Sequence, residues 1–295
     1  MKVNNIKMIA IDMDGTLLTT DKKLTEHSIE ILKAAIDKGV ELVVASGRPQ
    51  SGIPKEYMAL PGVRYAITAN GARVLDMKTG EKIYEALVPQ DRAKQILDIF
   101  AEYDSAPELY KEGRAYMKAG FLERMSYYMG NPAMAEYVKK SRTQVEDLQE
   151  ILEKYPDGFE KVQALFHLPE EQMEAKQRVA EIEGVKPVTS LDYNVEVSLA
   201  GADKGHSLVI LAEKLGIAPE EIMSFGDNDN DLEMIRFAGM GVAMKNAIPE
   251  ILEAADYVTD SNDQEGVAKA IEKFILNDNG AAEETGCGKD EGRTL

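Results

Sequence analysis

The stretch "MIAIDMDGTLLTTD", Met8 to Asp21, ends an apolar run in two aspartates, Asp12 and Asp14, with Gly15 and Thr16 behind them. A short apolar run that stops in Asp-Gly has the form of a buried strand feeding a turn. The same grammar recurs. "ELVVAS" (41–46) reads as a second buried strand and leads into Gly47 and Arg48; "YAITAN" (65–70) reads as a third and leads into Gly71. Between the first two, "TEHSIEILKAAIDKG" (25–39) puts Ile29, Leu32 and Ile36 on one helical face, with Thr25 as cap and Gly39 as stop. Strands that are apolar throughout, separated by helices, predict an α/β fold: a parallel sheet covered on both faces.

The pattern returns late in the chain. "HSLVILAEKLG" (206–216) is helical, "EIMSFGD" (221–227) is a strand running into an acidic loop, "DLEMIRFAG" (231–239) is a helix and "GVAM" (241–244) a short strand. From about residue 87 to 199 the character changes. "DRAKQILDIFAEYD" (91–104), "EDLQEILEKY" (146–155) and "EEQMEAKQRVAEIEG" (170–184) read as helices. "LYKEGRAYM" (109–117) reads as an exposed hairpin around Gly113, "KVQALFHL" (161–168) as a strand, and "PVTSLDYNVEVSL" (187–199) alternates as antiparallel strands do. The expected organisation is a core from residues 1–86 and 200–276, with an α+β domain, 87–199, inserted into it. The last segment, 277–295, has four glycines and almost no apolar residues, so a disordered tail is expected.

Composition narrows the function. The 295 residues are 44% hydrophobic, enough for a real core, and carry a net charge of −18. That charge argues against a nucleic-acid-coating protein and is compatible with a cytoplasmic one. The first apolar run is short and ends in Asp12, so no signal peptide is expected, and no apolar stretch approaches a membrane span. The single cysteine, Cys287, cannot form an internal disulfide. His27, His167 and His206 are scattered without metal-ligand spacing.

Open α/β sheets place their sites at the carboxyl ends of the strands. There this chain puts Asp12 and Asp14, then Ser46, Gly47 and Arg48, then Asn70, then Asp227 to Asp231, with Lys204 just before the helix at 206–216. Such carboxylates repel one another without a cation. A hard divalent ion with oxygen ligands resolves this, and Mg²⁺ leaves positions for water and a substrate phosphate. Lys204, the Ser46 hydroxyl and backbone N–H groups of the Asp-Met-Asp-Gly turn can surround phosphoryl oxygens. Asp12 can then act as a nucleophile, and Asp14 as a general acid and later a base.

These residues carry a resemblance. "DMDGTLL" resembles the first motif of the haloacid dehalogenase-like phosphatases, "VVASGR" the second, Lys204 in "ADKG" the third and "GDNDND" the fourth. The insertion between the second and third motifs, with "TANGA" and the stretch 241–275, resembles the Cof-type branch (subfamily IIB), which includes sugar phosphatases. The likeness spans residues 5 to 276. It implies a Rossmann-like core with an inserted α+β cap, and hydrolysis of small phosphate esters, sugar phosphates first, through an aspartyl phosphate. It implies Asp12 as nucleophile and Mg²⁺ ligand, and Asp14 as acid/base, binding Mg²⁺ through its carbonyl. Ser46, Gly47, Lys204, Asn230 and the Met13 N–H would hold the phosphate. Asp227 would be a Mg²⁺ ligand, with Asp231 behind, near Lys204 and the metal. Asn228 and Asp229 match variable positions.

Other readings compete. The aspartates could be turn residues or helix N-caps. A receiver domain shares the aspartyl phosphate but lacks Asp14 and the insertion. A halide-removing enzyme would not need Asp14. A phosphosugar mutase shares the motifs but would release little phosphate, and flavin or cofactor-precursor phosphates are alternative substrates. No G-x-G-x-x-G follows a strand and no P-loop is present, which disfavours a dinucleotide or nucleoside triphosphate binder. Asn70-Gly71 reads as a turn or a substrate contact, Arg48 as a substrate contact or a salt bridge, and Met58, Met117, Met125, Met129 and Met134 as packing.

Overall fold

The computed structural model describes residues 5–190 and 193–277. The expected tail therefore lies, from residue 278 onward, outside the described residues. The strands in chain order are β1 (Met8–Ile11), β2 (Glu41–Ala45), β3 (Tyr65–Thr68), β4 (Arg73–Asp76) and β5 (Lys82–Glu85). Then come β6 (Ser105–Lys111), β7 (Arg114–Lys118), β8 (Arg142–Val145), β9 (Lys161–Phe166), β10 (Val185–Val188) and β11 (Asn194–Leu199). The last three are β12 (Ile222–Gly226), β13 (Met240–Ala243) and β14 (Tyr257–Val258).

Among the described residues the first sheet has eight strands, in the order β14-β13-β12-β1-β2-β3-β4-β5. The six from β14 to β3 are parallel. Both faces of β1 are covered, which is why its sequence does not alternate. Ile9 and Ile11 pack with Leu32 and Ala35 of the helix Glu26–Asp37 and with Val267 and Ile271. Met8 and Ala10 pack on the other side with Leu208 and Leu211 of the helix Lys204–Leu215.

One edge departs from the parallel sheet read in the sequence. β4 runs antiparallel to both of its neighbours, β3 and β5. The connection from Thr68 to Arg73 is a tight turn, far shorter than the crossover a parallel neighbour would need.

The second sheet has, among the described residues, six strands in the order β10-β11-β9-β6-β7-β8, antiparallel except for β7 beside β8. Its alternation sorts two faces. Leu109, Val162, Ala164, Val195 and Val197 meet the helices Gln90–Phe100, Leu148–Lys154 and Pro169–Ala180. The opposite face carries the helices Met125–Tyr128 and Pro132–Ser141 over Met117 and Leu165. Its remaining residues, Tyr110, Lys161, Gln163 and Glu196 among them, turn toward the carboxyl ends of the first sheet. The hairpin expected around Gly113 is β6–β7. It is not exposed: Leu109, Ala115 and Met117 are fully buried, and Ser51 N–H donates to Gly113 O at 2.9 Å. None of the helices among the described residues is long and apolar enough to cross a membrane.

Candidate active site

β1 and β12 lie side by side and deliver their acids to one point. Asp12 N–H continues the ladder by donating to Phe225 O at 3.1 Å. The chain then bends back, with Leu17 N–H donating to Asp12 O at 3.2 Å and Leu18 N–H to Met13 O at 2.9 Å. Gly15 makes the bend possible. Its φ is +89°, and a Cβ there would sit 2.4 Å from Asp227 Oδ2. Thr16 Oγ1 donates to Asp227 Oδ1 at 2.7 Å.

Lys204 begins its helix with Asp203 as cap, whose carboxylate accepts from His206 N–H at 2.7 Å. The Lys204 ammonium is fully buried and donates at 2.6 Å to both Asp12 Oδ1 and Asp231 Oδ1. Asp231 Oδ2 accepts from the N–H groups of Asp227 and Asn228 at 3.0 and 3.1 Å, so both its oxygens are engaged. Burial would lower the Lys204 pKa, but Asp12 and Asp231 outweigh it and hold the lysine charged.

One lysine cannot neutralise three carboxylates. Asp12, Asp227 and Asp231 each bring an oxygen within 4.8 Å of the others. Burial, with Asp231 and Asp14 beside it, pushes Asp12 up to about 7 against the pull of Lys204. Burial, then Asp12 and Asp231, push Asp227 up to about 8. An all-oxygen cluster with strained anions suits a hard divalent cation, which removes the strain.

Asp14 is held differently. Arg48 grips it bidentately, Nε to Oδ2 at 2.6 Å and Nη2 to Oδ1 at 2.7 Å, and Lys22 Nζ lies 2.9 Å from Oδ1. Burial would raise its pKa, but Arg48 and Lys22 overcome this and hold the carboxyl well below the usual range. Arg48 is thus a salt-bridge partner. It also donates to Gly52 O at 2.9 Å and stacks on the Tyr137 ring, 3.9 Å from its centroid.

The Ser46–Arg48 loop and the Ala69–Gly71 turn are tied together. Asn70 N–H donates to Ser46 O at 3.1 Å and Ala69 N–H to Arg48 O at 3.0 Å. Arg48 N–H donates to Ser46 Oγ at 3.2 Å. Ala69 and Asn70 both have positive φ, 51° and 58°. Asn70 is more than a turn residue: its Oδ1 accepts from Asn230 Nδ2 at 3.0 Å, and its Nδ2 donates to Glu196 of the second sheet.

Asp12, Asp14, Ser46, Gly47 and Asn230 line one wall of a cavity of about 590 Å³, counting its mouth. Lys204, Asp227 and Asp231 stand beside them, and Met13 is buried between the two aspartates of its turn. The other walls come from the second sheet and its helices: Tyr110, Arg142, Lys161, Gln163 and Glu196 on a polar side, Met129, Met134 and Val138 on an apolar one. Sequence reasoning assigned Met129 and Met134 to packing; they pack and also line the cavity. It missed the polar side, which no motif marks. The available signal was Lys161 and Gln163 alternating with Val162 and Ala164, polar residues at every other position of a strand whose opposite face is apolar.

Comparisons with known proteins agree with this geometry. The family model of haloacid dehalogenase-like hydrolases matches residues 9–271. The putative phosphatase YxeH of Bacillus subtilis is 34% identical over 284 residues, covering 92% of this chain and 98% of that protein. The 5-amino-6-(5-phospho-D-ribitylamino)uracil phosphatase YcsE of the same organism is 30% identical over 275 residues, covering 92% and 97%. Among solved structures, a haloacid dehalogenase-like hydrolase from B. subtilis matches with a TM-score of 0.81 at 29% identity, covering 92% of this chain and all of that one. The subclass IIB sugar phosphatase BT4131 matches with a TM-score of 0.77 at 26% identity, covering 91% and 98%.

Proposed function

Because the chain belongs to the haloacid dehalogenase-like hydrolase family, we propose that it is a Mg²⁺-dependent phosphatase of small phosphorylated metabolites, sugar phosphates first. One observation carries the reading: a strand-terminal Asp12 shares a buried lysine with Asp231 and faces Asp227, with Asp14 two residues on. Asp12, Asp227 and the Asp14 carbonyl would hold the ion. A bound Mg²⁺ supplies positive charge to the carboxylates and to the phosphoryl oxygens.

The residues then divide the work. Ser46, Gly47, Lys204, Asn230 and the Met13 N–H orient the phosphoryl group. An Asp12 oxygen attacks phosphorus and the bond to the leaving oxygen breaks. Once its bonds to Arg48 open, Asp14 takes up a proton from solvent and passes it to that oxygen. It then takes a proton from the water that attacks the aspartyl phosphate, and inorganic phosphate leaves. Asp231 holds Lys204 and the 227–228 backbone in place.

We assign residues 1–86 and 200–276 to the catalytic core and 87–199 to a cap that closes over it. The phosphoryl residues meet a group every ester shares, so selection falls to the cap's side of the cavity. The Gln163 amide and the Tyr110 hydroxyl favour a hydroxylated leaving group. The Met129–Met134–Val138 wall favours a second reading, a leaving group with an apolar face, such as the ribitylaminouracil named for one relative's substrate.

Phosphate release from a panel of sugar and cofactor-precursor phosphates, with Mg²⁺ and with EDTA, tests this. Release should stop in EDTA, and the trapped phosphoryl group should map to Asp12 by mass spectrometry. Undiminished turnover in EDTA, or a label on another residue, overturns it. Transfer within one sugar with little phosphate release would identify a mutase.

A further inference from the structure

Two buried charges in the second sheet, Lys161 on β9 and Glu196 on β11, lie next to the first sheet rather than in the core beneath them. They pair at 3.1 Å, and each also reaches one loop of the first sheet. Lys161 Nζ donates to Gly47 O at 2.8 Å. Asn70 Nδ2 donates to Glu196 Oε2. The Glu196 side chain is built to stay: its Oε1 accepts from Ser190 Oγ at 2.7 Å and Asn194 Nδ2 at 2.9 Å. Asn228 Nδ2 adds a third tie across the gap, to Ser190 O at 3.1 Å.

Each arm ends on a group assigned to the phosphoryl cradle. Lys161 holds the carbonyl of the Gly47–Arg48 peptide, and the N–H of that peptide donates to Ser46 Oγ. A hydroxyl that accepts from the backbone keeps its own proton for another acceptor. So Lys161, through one peptide plane, leaves the Ser46 O–H to donate to a phosphoryl oxygen. Glu196 holds the Asn70 amide nitrogen, and the Asn70 oxygen accepts from Asn230 Nδ2. That fixes which way the Asn70 amide faces, and hence where Asn230 is held. The left-handed backbone at Ala69 and Asn70 fits this role, since a non-glycine pair at positive φ persists where its surroundings determine it.

We propose that Lys161 and Glu196 are positioning residues. They form a latch that assembles the phosphoryl cradle when the second sheet closes on the first, Lys161 through Gly47 and Ser46, Glu196 through Asn70 and Asn230. The proposal rests on the phosphatase reading above. It differs from leaving-group recognition in one respect: the latch affects a ligand that has no leaving group.

The test uses the full chain with Mg²⁺ and two variants, Lys161→Met and the near-isosteric Glu196→Gln, with Lys161→Arg as the conservative rescue. Inorganic phosphate binding is measured by calorimetry, and KM and kcat are measured for a panel of esters. Lys161→Met should weaken phosphate binding about tenfold or more, and Glu196→Gln should weaken it several-fold, the scale of a lost hydrogen bond to a charged group. KM should rise by a similar factor for every ester, with their ranking kept, and Lys161→Arg should recover most of the loss. Melting temperatures identify a variant that fails to fold; Glu196→Gln, which conserves shape, then decides. Unchanged phosphate affinity in a folded variant with a changed ester ranking would overturn the latch and make these residues readers of the leaving group. Wild-type turnover that ignores EDTA would instead sink the phosphatase reading.

Discussion

Replacing Asp227 with asparagine should stabilise the metal-free protein and disable the enzyme. Burial, then Asp12 and Asp231, hold the Asp227 pKa at about 8, while the unfolded chain ionises it near 3.8. At pH 7 folding must therefore protonate this group, at a cost of about 4 kcal/mol from 1.36 kcal/mol per pH unit. Asp227 keeps some contact with water and titrates together with Asp12, so the gain expected from removing it is about 2–4 kcal/mol. Asparagine retains an oxygen to accept from Thr16. The sign follows from the raised pKa. The stability that Asp227 contributes is fully present below about 3.8 and is lost as pH rises through about 8. In EDTA the variant should thus match wild type near pH 4 and melt higher by about 4–16 °C at pH 7.5, at 2–4 °C per kcal/mol. With Mg²⁺ the order should invert, because binding to the native state stabilises only the chain that keeps the ligand set. A thermal-melt series at several pH values, with EDTA and with Mg²⁺, reads all of this. An Asp227→Asn protein less stable than wild type in EDTA at pH 7.5, or Mg²⁺ stabilising both alike, would refute the claim that these carboxylates are strained for a cation.

Three further outcomes are expected. Asp14→Asn keeps the nucleophile but loses proton transfer, so turnover of sugar phosphates should fall about 10²–10⁴-fold, and less for a nitrophenyl phosphate, whose leaving group needs no proton. Lys204→Met leaves Asp12 and Asp231 without their buried cation and should lose about 3–5 kcal/mol at pH 7.5 by chemical denaturation, with a smaller loss at acid pH. Gly71→Ala places a Cβ 2.1 Å from Asp203 O at a φ of +91° and should lose about 2–5 kcal/mol, measured the same way.

Much of the first sheet was legible because its central strands are buried on both faces, and continuous apolar runs such as 8–11 and 42–45 announce that. β4 and β5 were not legible. "RVLD" and "KIYE" are short and mixed, and their direction depends on how the chain turns at Ala69–Gly71. Asp12, Asp14 and Asp227 could be read because each follows the end of an apolar strand. Arg48 was left open because an arginine after a strand fits a substrate contact and an ion pair equally. Only the fold puts Asp14 within 2.6 Å of it. Lys161 and Glu196 look in sequence like ordinary polar residues of amphipathic strands. What distinguishes them is that their polar face meets another sheet instead of water, which no local pattern records.

The position of β1 has a consequence for how the molecule forms. β1 lies between β2 and β12, and Met8 pairs with both Glu41 and Ile222. One partner is about 30 residues away, the other more than 200. At a synthesis rate of about 5–20 residues per second, the second edge of this strand waits on the order of 10–40 s for its neighbour. During that time an unpaired backbone edge, apolar on both faces, is a template for pairing with another chain. The residues that intervene can fold meanwhile, since the second sheet draws all its strands from 105–199. Closing the first sheet is thus the last and most non-local event. A nascent chain stalled before residue 222 would present a half-built sheet to chaperones or to its own copies.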